Sequence, residues 1–396
     1  MKSNSLIIFT NFPFPHLGGL SRCISDEVTF FSGRGYNVFL IYAPSEMPLN
    51  FKLRPNVTLV PQQSSMKKAQ TVVNRIRRAS LTRKIALKNN VQCIYTHDIY
   101  SAFICILASL GKRTVLHTHS IFSEDRFKMG KPFHELSTRN KITSLLGYLL
   151  DSTVEFLVYN LVHSIICTAE YQLEGVLKKS LSKKRASVLW NGINTKTFKP
   201  RVRERRMLRR KLRIPDGKIV CMFLGRMVPK NGPLIIARAI PIINQKTSKA
   251  LFVFVGDGVE KEKIRKYVEN QKLRNVMLLK GTPAEKILPI ADVFVTNVSP
   301  IWEKTLDRTI FEAMASGIPT IIGRDPHKED IFDGGKELLF VRKGDPKAIA
   351  ERILQLMSDE KKIRTLSING RKRVVKDFSL DTFMDSLEGI ANSINA

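Results

Sequence analysis

Cysteine is scarce in this chain and odd in number. The five residues, Cys23, Cys93, Cys105, Cys167 and Cys221, stand far apart and mostly inside apolar runs such as ICIL and IICT. That usage excludes a disulfide framework and suits small core residues in a reducing compartment. No secretory leader is legible, because the apolar stretch in SLIIFTNFPFP is short and broken by Pro13 and Pro15, so it reads as a first β-strand. No low-complexity tract suggests long disorder. The longest apolar segment, Ile142 to Val162, carries Asp151 and Glu155 near its middle. Each of these would cost about 2.5–3.5 kcal/mol at the centre of a bilayer, and the segment is therefore read as a buried helix. Acid is also in deficit: 35 Asp and Glu stand against 65 Lys and Arg, a formal net charge of +30.

Such a field attracts polyanions whatever the fold: nucleic acid, an anionic membrane face or a phosphorylated substrate. No basic motif interleaved with aromatics marks a known RNA- or DNA-binding module, so no specific nucleic-acid partner is expected. The densest basic run, RVRERRMLRRKLR at 201–213, reads as a solvated helix face.

A length of 396 residues suits two α/β domains better than one core. Short β-branched runs alternate with helical patterns throughout. The first half offers SLIIFTN, NVFLIYA, VTLVP, VQCIYTH, RTVLHTH, HSIICTA and ASVLWN; the second offers KIVCMFLG, ALFVFVGDG, NVMLLKG, ADVFVTN, PTIIGR and ELLFVRK. Continuous apolar strands separated by helices predict a parallel sheet covered on both faces, once in each half. A Pro-punctuated stretch near 195–214 is expected to be the hinge. The tail, FSLDTFMDSLEGIANSI, has helical spacing and predicts a terminal helix with something to pack against.

Several residues stand where such sheets bind ligands, at the C-terminal ends of strands. Gly18 and Gly19 follow the first strand and precede a helix whose stripe is Leu20, Ile24, Val28 and Phe31; a glycine turn before a helix N-terminus suits a phosphate. His97, His117 and His119 fall at ends of two further strands, and three at one edge favour a site. With no acidic or cysteine partner at ligand spacing, they do not read as zinc ligands. In the second half KIVCMFLG runs into Arg226, followed by Lys230 and Gly232 at a helix start, which makes an anion site the size of a diphosphate. Gly256 ends the next strand in another glycine turn, and Glu312 opens a small-residue helix where a carboxylate suits the hydroxyls of a ribose.

Taken in order, the GGLSR turn, THS, LWNGINTKTFKP, FLGRMVPKNG, FVGDGVE, ADVFVTNVSP, TIFEAMASGIPTII and GDPKAIAERILQLMSD with its later KDFSL resemble the retaining glycosyltransferases of family 4 over nearly the whole chain. The resemblance implies the GT-B fold, an α/β architecture of two Rossmann-like domains facing a cleft. It places an acceptor-binding domain at 1–198, a nucleotide-sugar-binding domain at 199–378 and a terminal helix crossing back at 379–396. By the same resemblance His119, Arg226 and Lys230 are catalytic: His119 touches the transferred sugar, and Arg226 with Lys230 holds the diphosphate. Gly18, Gly19, Asn191, Gly256, Asp307, Arg308 and Glu312 bind the donor. No metal and no cofactor is implied beyond the nucleotide-sugar substrate, and the expected partners are that donor, a glycan or lipid-linked acceptor and an anionic membrane surface, in the cytoplasm or at its membrane face. Acceptor contacts are expected from residues 120–140, partly disordered without acceptor.

The sequence departs from the family pattern in two places. Asn231 stands where a lysine is usual, with Lys230 displaced by one, and Lys304 stands where the first of two glutamates is usual, with Asp307 and Arg308 in TLDRT nearby. On these departures a non-catalytic polyanion-binding protein on the same scaffold stays open, and because a fold does not fix a reaction so does a nucleotide-sugar epimerase that needs no acceptor.

Overall fold

The computed structural model describes residues 4–15, 19–47, 52–62, 70–119, 138–296, 298–300 and 306–394. Contacts divide the chain into two compact units, Met1–Asn191 with Phe383–Ala396, and Gly192–Thr382.

The first unit holds strands β1 (Ser5–Phe14), β2 (Asn37–Pro44), β3 (Val57–Pro61), β4 (Val91–Thr96), β5 (Thr114–Thr118), β6 (Ser164–Cys167) and β7 (Ala186–Val188). They form one sheet in the order β3-β2-β1-β4-β5-β6-β7, parallel at every pair. Helices α1 (Gly19–Gly33), α2 (Gln70–Lys88), α3 (Ile99–Leu107), α4 (Thr138–Leu161) and α5 (Glu170–Lys179) connect them. The strands are β-branched and apolar because helices cover both faces: Ile7, Phe9, Ile41 and Ile94 pack with Ala79 and Cys105 in one cluster, while Leu116, Ile165 and Cys167 pack with Val154 and Val158 in another. The order reverses between β1 and β4, and that switch point opens a crevice at the carboxyl ends of the strands.

Helix α4 corrects the expectation of a buried apolar helix. Its acids are inside and its leucines outside: Asp151 and Glu155 are buried, whereas Leu149 and Leu150 are 53% and 55% exposed, with Leu145, Leu146 and Phe156 exposed beside them. The buried carboxylates persist because each has a partner, Asp151 accepting from the Tyr100 hydroxyl and Glu155 from Lys179 Nζ. Among the described residues no helix is long and apolar enough to cross a membrane.

The second unit holds β8 (Ile219–Leu224), β9 (Ala250–Val255), β10 (Val276–Leu279), β11 (Val293–Thr296), β12 (Thr320–Gly323) and β13 (Leu339–Val341), in the parallel order β10-β9-β8-β11-β12-β13. Its helices are α6 (Val202–Lys211), α7 (Pro233–Asn244), α8 (Lys261–Asn270), α9 (Ala284–Ile287), α10 (Arg308–Ala315), α11 (Pro326–Glu329), α12 (Pro346–Ser358) and α13 (Glu360–Asp377). Here the order reverses between β8 and β11. The thirteen strands expected from the sequence are all present, each in its half.

The basic run corrects a second expectation. Residues 201–213 keep the expected solvated face, with Arg203, Arg206, Arg210 and Lys211 exposed and no residue of α6 buried, but they are not a free hinge, because two other arginines of α6 fasten the helix to the second unit. Arg205 and Arg209 both pair with Asp292, and they donate to the carbonyls of Ala291 (2.7 Å) and Ile290 (2.8 Å). The chain passes between units at Asn191–Gly192 and again at Thr382–Phe383. The last helix, α14 (Leu380–Ser393), buries Phe383, Met384, Leu387 and Ala391. Within the first unit its Leu387 carbonyl accepts from the Tyr95 hydroxyl, and Arg34 pairs with its Asp385 and Glu388.

Candidate functional site

In the second unit chemistry gathers where β8 ends. Leu224 is followed by Gly225 (φ 153°), and the parallel neighbour β9 ends in Gly256 (φ 141°). A Cβ on Gly256 would lie 2.0 Å from the Gly225 carbonyl oxygen, so the two strand-end turns lie directly on each other and only glycine fits. The role of Gly256 inside the protein is therefore to bring these turns together. Arg226 follows, exposed, and its carbonyl accepts from Asn231 Nδ2 at 2.8 Å. Asn231 is thus the buried brace of the turn that carries Arg226. Gly232 (φ 73°) then caps α7 with no side-chain cap, Pro233 stands at the first position, and the Gly232 carbonyl accepts from the Ile235 and Ile236 amides at 3.1 and 3.2 Å.

Asp307 immediately precedes α10, at its N-cap, without capping it through its side chain. Burial raises its carboxyl above the usual carboxylate range, and the charges of Lys230, Lys328 and Arg226 oppose that rise without cancelling it. Lys328 is only 2% exposed, and burial first, then Lys343, pushes its ammonium down to about 8. Lys343 in turn pairs with Asp325 at 2.6 Å. Lys328 escaped the sequence reading because it sits beyond β12 with no glycine turn beside it, and nothing local marks it. Glu312 is 3% exposed and accepts from Arg308 Nε at 3.2 Å, one helical turn away. A groove of about 700 Å³ between Arg324, Phe340 and Arg373 shares no lining residue with this cluster. Lys304 lies outside the described residues.

The first unit assembles its own cluster at the β1/β4 switch. β4 ends into His97, whose amide donates to the Phe9 carbonyl at 3.1 Å, and β5 carries His117 and ends into His119. His97 Nδ1 and His119 Nε2 are 3.3 Å apart with their rings stacked, and His117 lies tilted against both, the three centroids 4.5–5.6 Å from one another. From α1, Glu27 reaches into this cluster: its Oε2 is 2.8 Å from His97 Nε2 and its Oε1 3.4 Å from His117 Nδ1. Burial alone would raise the Glu27 carboxyl, but His97 and His117 against it hold it well below the usual carboxylate range. Burial depresses His117, and depresses His119 further, keeping both neutral. Cys23, one turn before Glu27, places Sγ 3.4 Å from Glu27 Oε1 and 3.5 Å from Asn191 Oδ1.

The structure thus supplies the acidic and cysteine partners that the local sequence around the histidines lacks. Sequence reasoning missed Glu27; the available signal was an acid between the stripe residues Ile24 and Phe31 of an amphipathic helix. Gly19, exposed at the start of α1, would project a Cβ into open space. Gly18 and the expected acceptor segment 120–137 lie outside the described residues.

Comparison with known proteins bears on the family and the fold. The chain matches the family described as Glycosyltransferase Family 4 over residues 17–197 and that described as Glycosyl transferases group 1 over residues 204–373. It is 25% identical over 243 residues to spore coat protein SA of Bacillus subtilis, covering 57% of this chain and 64% of that one. It is 27% identical over 205 residues to a GDP-mannose-dependent alpha-(1-6)-phosphatidylinositol monomannoside mannosyltransferase of Mycobacterium tuberculosis, covering 50% and 53%. The match thus spans between about half and somewhat under two thirds of these relatives' length. Among solved structures it superposes on Anabaena HepE in complex with UDP and glucose, with TM-score 0.75, 15% identity and coverage of 99% and 100%. It also superposes on the sucrose-phosphate synthase of Thermosynechococcus elongatus, with TM-score 0.77, 17% identity and coverage of 99% of each chain. The paired family matches and the two doubly covered parallel sheets place the chain in glycosyltransferase family 4, the glycosyl transferases group 1, with the GT-B fold.

Proposed function

We propose that the protein transfers a sugar from a nucleoside-diphosphate sugar to an acceptor hydroxyl with retention of configuration. The observation that carries this reading is the placement of Arg226 and Lys230 between the end of β8 and the start of α7, at the β8/β11 switch point, where their charge and that of Lys328 act on Asp307. Relatives and neighbours support a nucleotide-sugar donor: one relative is named as GDP-mannose-dependent, and one structural neighbour holds UDP and glucose. In the proposed step the bond between the anomeric carbon and the diphosphate oxygen breaks and the acceptor oxygen bonds to that carbon on the same face. The acceptor proton passes to the departing diphosphate. Charge accumulates on the leaving group, and prearranged cations are most effective where charge develops. Arg226 and Lys230 are assigned to that charge, Glu312 with Arg308 to the ribose, Gly19 to the donor phosphates and His119 to the transferred sugar. With three cations in place, neutralising the diphosphate needs no divalent ion in this reading.

The acceptor is assigned to a glycan or lipid-linked molecule at the anionic, cytoplasmic face of a membrane. The exposed leucines of α4 and the net charge of +30 support that approach, one apolar and one electrostatic.

The test is thermal stabilisation of the purified protein by UDP, GDP, ADP and CDP at one moderate salt concentration. A diphosphate held at a hundred times its dissociation constant adds about 2.7 kcal/mol. One nucleotide is expected to stabilise and to lose its effect in Arg226→Ala, and its sugar conjugate is then the donor to assay for transfer. Stabilisation by none of them, or an effect untouched by Arg226→Ala, would sink the assignment.

A further inference from the structure

The cluster in the first unit contains more than a sugar contact requires. Cys23, His97, His117 and His119 each offer one ligating atom, and these atoms all lie within 4.8 Å of one another. Zinc holds nitrogen at about 2.0–2.1 Å and sulfur at about 2.3 Å in a tetrahedron, so its ligand atoms stand roughly 3.3–3.8 Å apart. The His97 Nδ1 to His119 Nε2 distance of 3.3 Å already matches such an edge, and no pair, at up to 4.8 Å, has to close by more than about 1.5 Å to reach one.

Glu27 supplies the surrounding support that metal-binding histidines use. Its two oxygens address His97 Nε2 and His117 Nδ1, at 2.8 and 3.4 Å. A proton held on each of those nitrogens leaves the opposite nitrogen of each ring with its lone pair, the tautomer that a metal requires. A chain of hydrogen bonds from Glu27 through His97 to His119 accounts for those three residues without a metal. It does not account for His117, which is fully buried: its Nδ1 has only the long 3.4 Å contact with Glu27, and its Nε2, among the described residues, has no hydrogen-bond partner. A buried imidazole is costly to leave unsatisfied. Charge points the same way: the Cys23 thiolate that forms on metal binding and the Glu27 carboxylate together offset two positive charges, so the occupied cluster is neutral in a buried place.

We infer that Cys23, His97, His117 and His119 bind a divalent ion of the zinc class, with Glu27 orienting two of the three imidazoles. Mixed sulfur and nitrogen donors select zinc over magnesium or calcium. With four protein ligands the site is closed and structural: it ties α1, and so the turn bearing Gly19, to the ends of β4 and β5. His119 binds through Nε2 and keeps Nδ1 for another partner. The inference is separate from the nucleotide site at Arg226, and neither depends on the other.

Metal analysis of the whole protein, purified without a polyhistidine tag, tests it, together with substitution by cobalt(II). One zinc per chain is expected. The cobalt form should show the near-ultraviolet charge-transfer band of a thiolate ligand and the intense visible bands of a four-coordinate ion. Cys23→Ser should remove the charge-transfer band, and His117→Asn should lower the metal content. If either variant fails to fold, the wild-type cobalt spectrum decides the question alone. Retention of no metal after purification and added zinc, or a cobalt spectrum indistinguishable from that of the aqueous ion, would overturn the assignment.

Discussion

Gly19 and Gly256 look alike in the sequence, each a glycine at the turn after a strand, yet their surroundings are opposite. At Gly19 an added Cβ meets nothing within 4 Å, whereas at Gly256 it meets the Gly225 carbonyl oxygen at 2.0 Å with φ at 141°. Gly256→Ala should therefore destabilise the second unit by about 3 kcal/mol, from backbone strain and overpacking together. Gly19→Ala should leave unfolding within about 0.5 kcal/mol of wild type while abolishing stabilisation by the preferred nucleoside diphosphate. Denaturant unfolding with and without nucleotide checks both, and a Gly19→Ala protein that still binds nucleotide normally would remove that residue from the donor site. The sequence made both turns legible through their glycines. It could not say which glycine serves the protein and which is left for a ligand, because the decisive neighbour of Gly256 lies on another strand. The same limit hid Glu27, whose partner His97 is 70 positions away, and made Asn231 look like a lost lysine when its side chain holds the turn that carries Arg226.

Among the elements, α4 shows how hydropathy identifies a helix and misjudges its orientation. Its length and apolar content were legible, but the side it buries was not, since that depends on Tyr100 and Lys179 standing ready for Asp151 and Glu155. Removing a buried acid should cost more than removing an exposed leucine. Glu155→Ala leaves Lys179, 21% exposed, without that partner and should cost about 1–3 kcal/mol. Leu149→Ser should change stability by no more than about 0.5 kcal/mol. Urea unfolding of the two variants gives the comparison, and the reverse ranking would mean that the leucine face is covered in the folded protein. Helix α6 repeats the lesson with charge: RERRMLRR reads as a solvated face, and most of it is one, but Asp292 and the carbonyls of Ile290 and Ala291, more than 80 positions away, recruit two of its arginines.

For the whole molecule the sheets were the most legible feature, because strands buried on both faces leave continuous apolar runs that nothing else in the chain imitates. The surplus of 30 positive charges was equally plain, though only its effect on a partner gives it meaning. If the molecule approaches an anionic bilayer, partition onto vesicles containing phosphatidylserine should fall steeply with salt, since exposed cations contribute about 1 kcal/mol each and are screened within a Debye length. The part that survives high salt should be lost in a Leu149→Ser, Leu150→Ser double variant. Sedimentation with vesicles measures both, and partition that ignores salt, or no partition, would count against the membrane reading.

The position of α14 bears on how the molecule comes into being. Phe383–Ala396 belong to the first unit, although Gly192–Thr382, the whole of the second, are made before them. Translation runs at about 5–20 residues per second and domains generally fold as they emerge. The second unit can therefore finish as one uninterrupted stretch, while the first waits with the Tyr95 hydroxyl and the His117 ring lacking Leu387 and Phe383 until the final helix leaves the ribosome. The half that is started first is completed last, and the chain's longest exposure to misassembly falls on the histidine-bearing sheet.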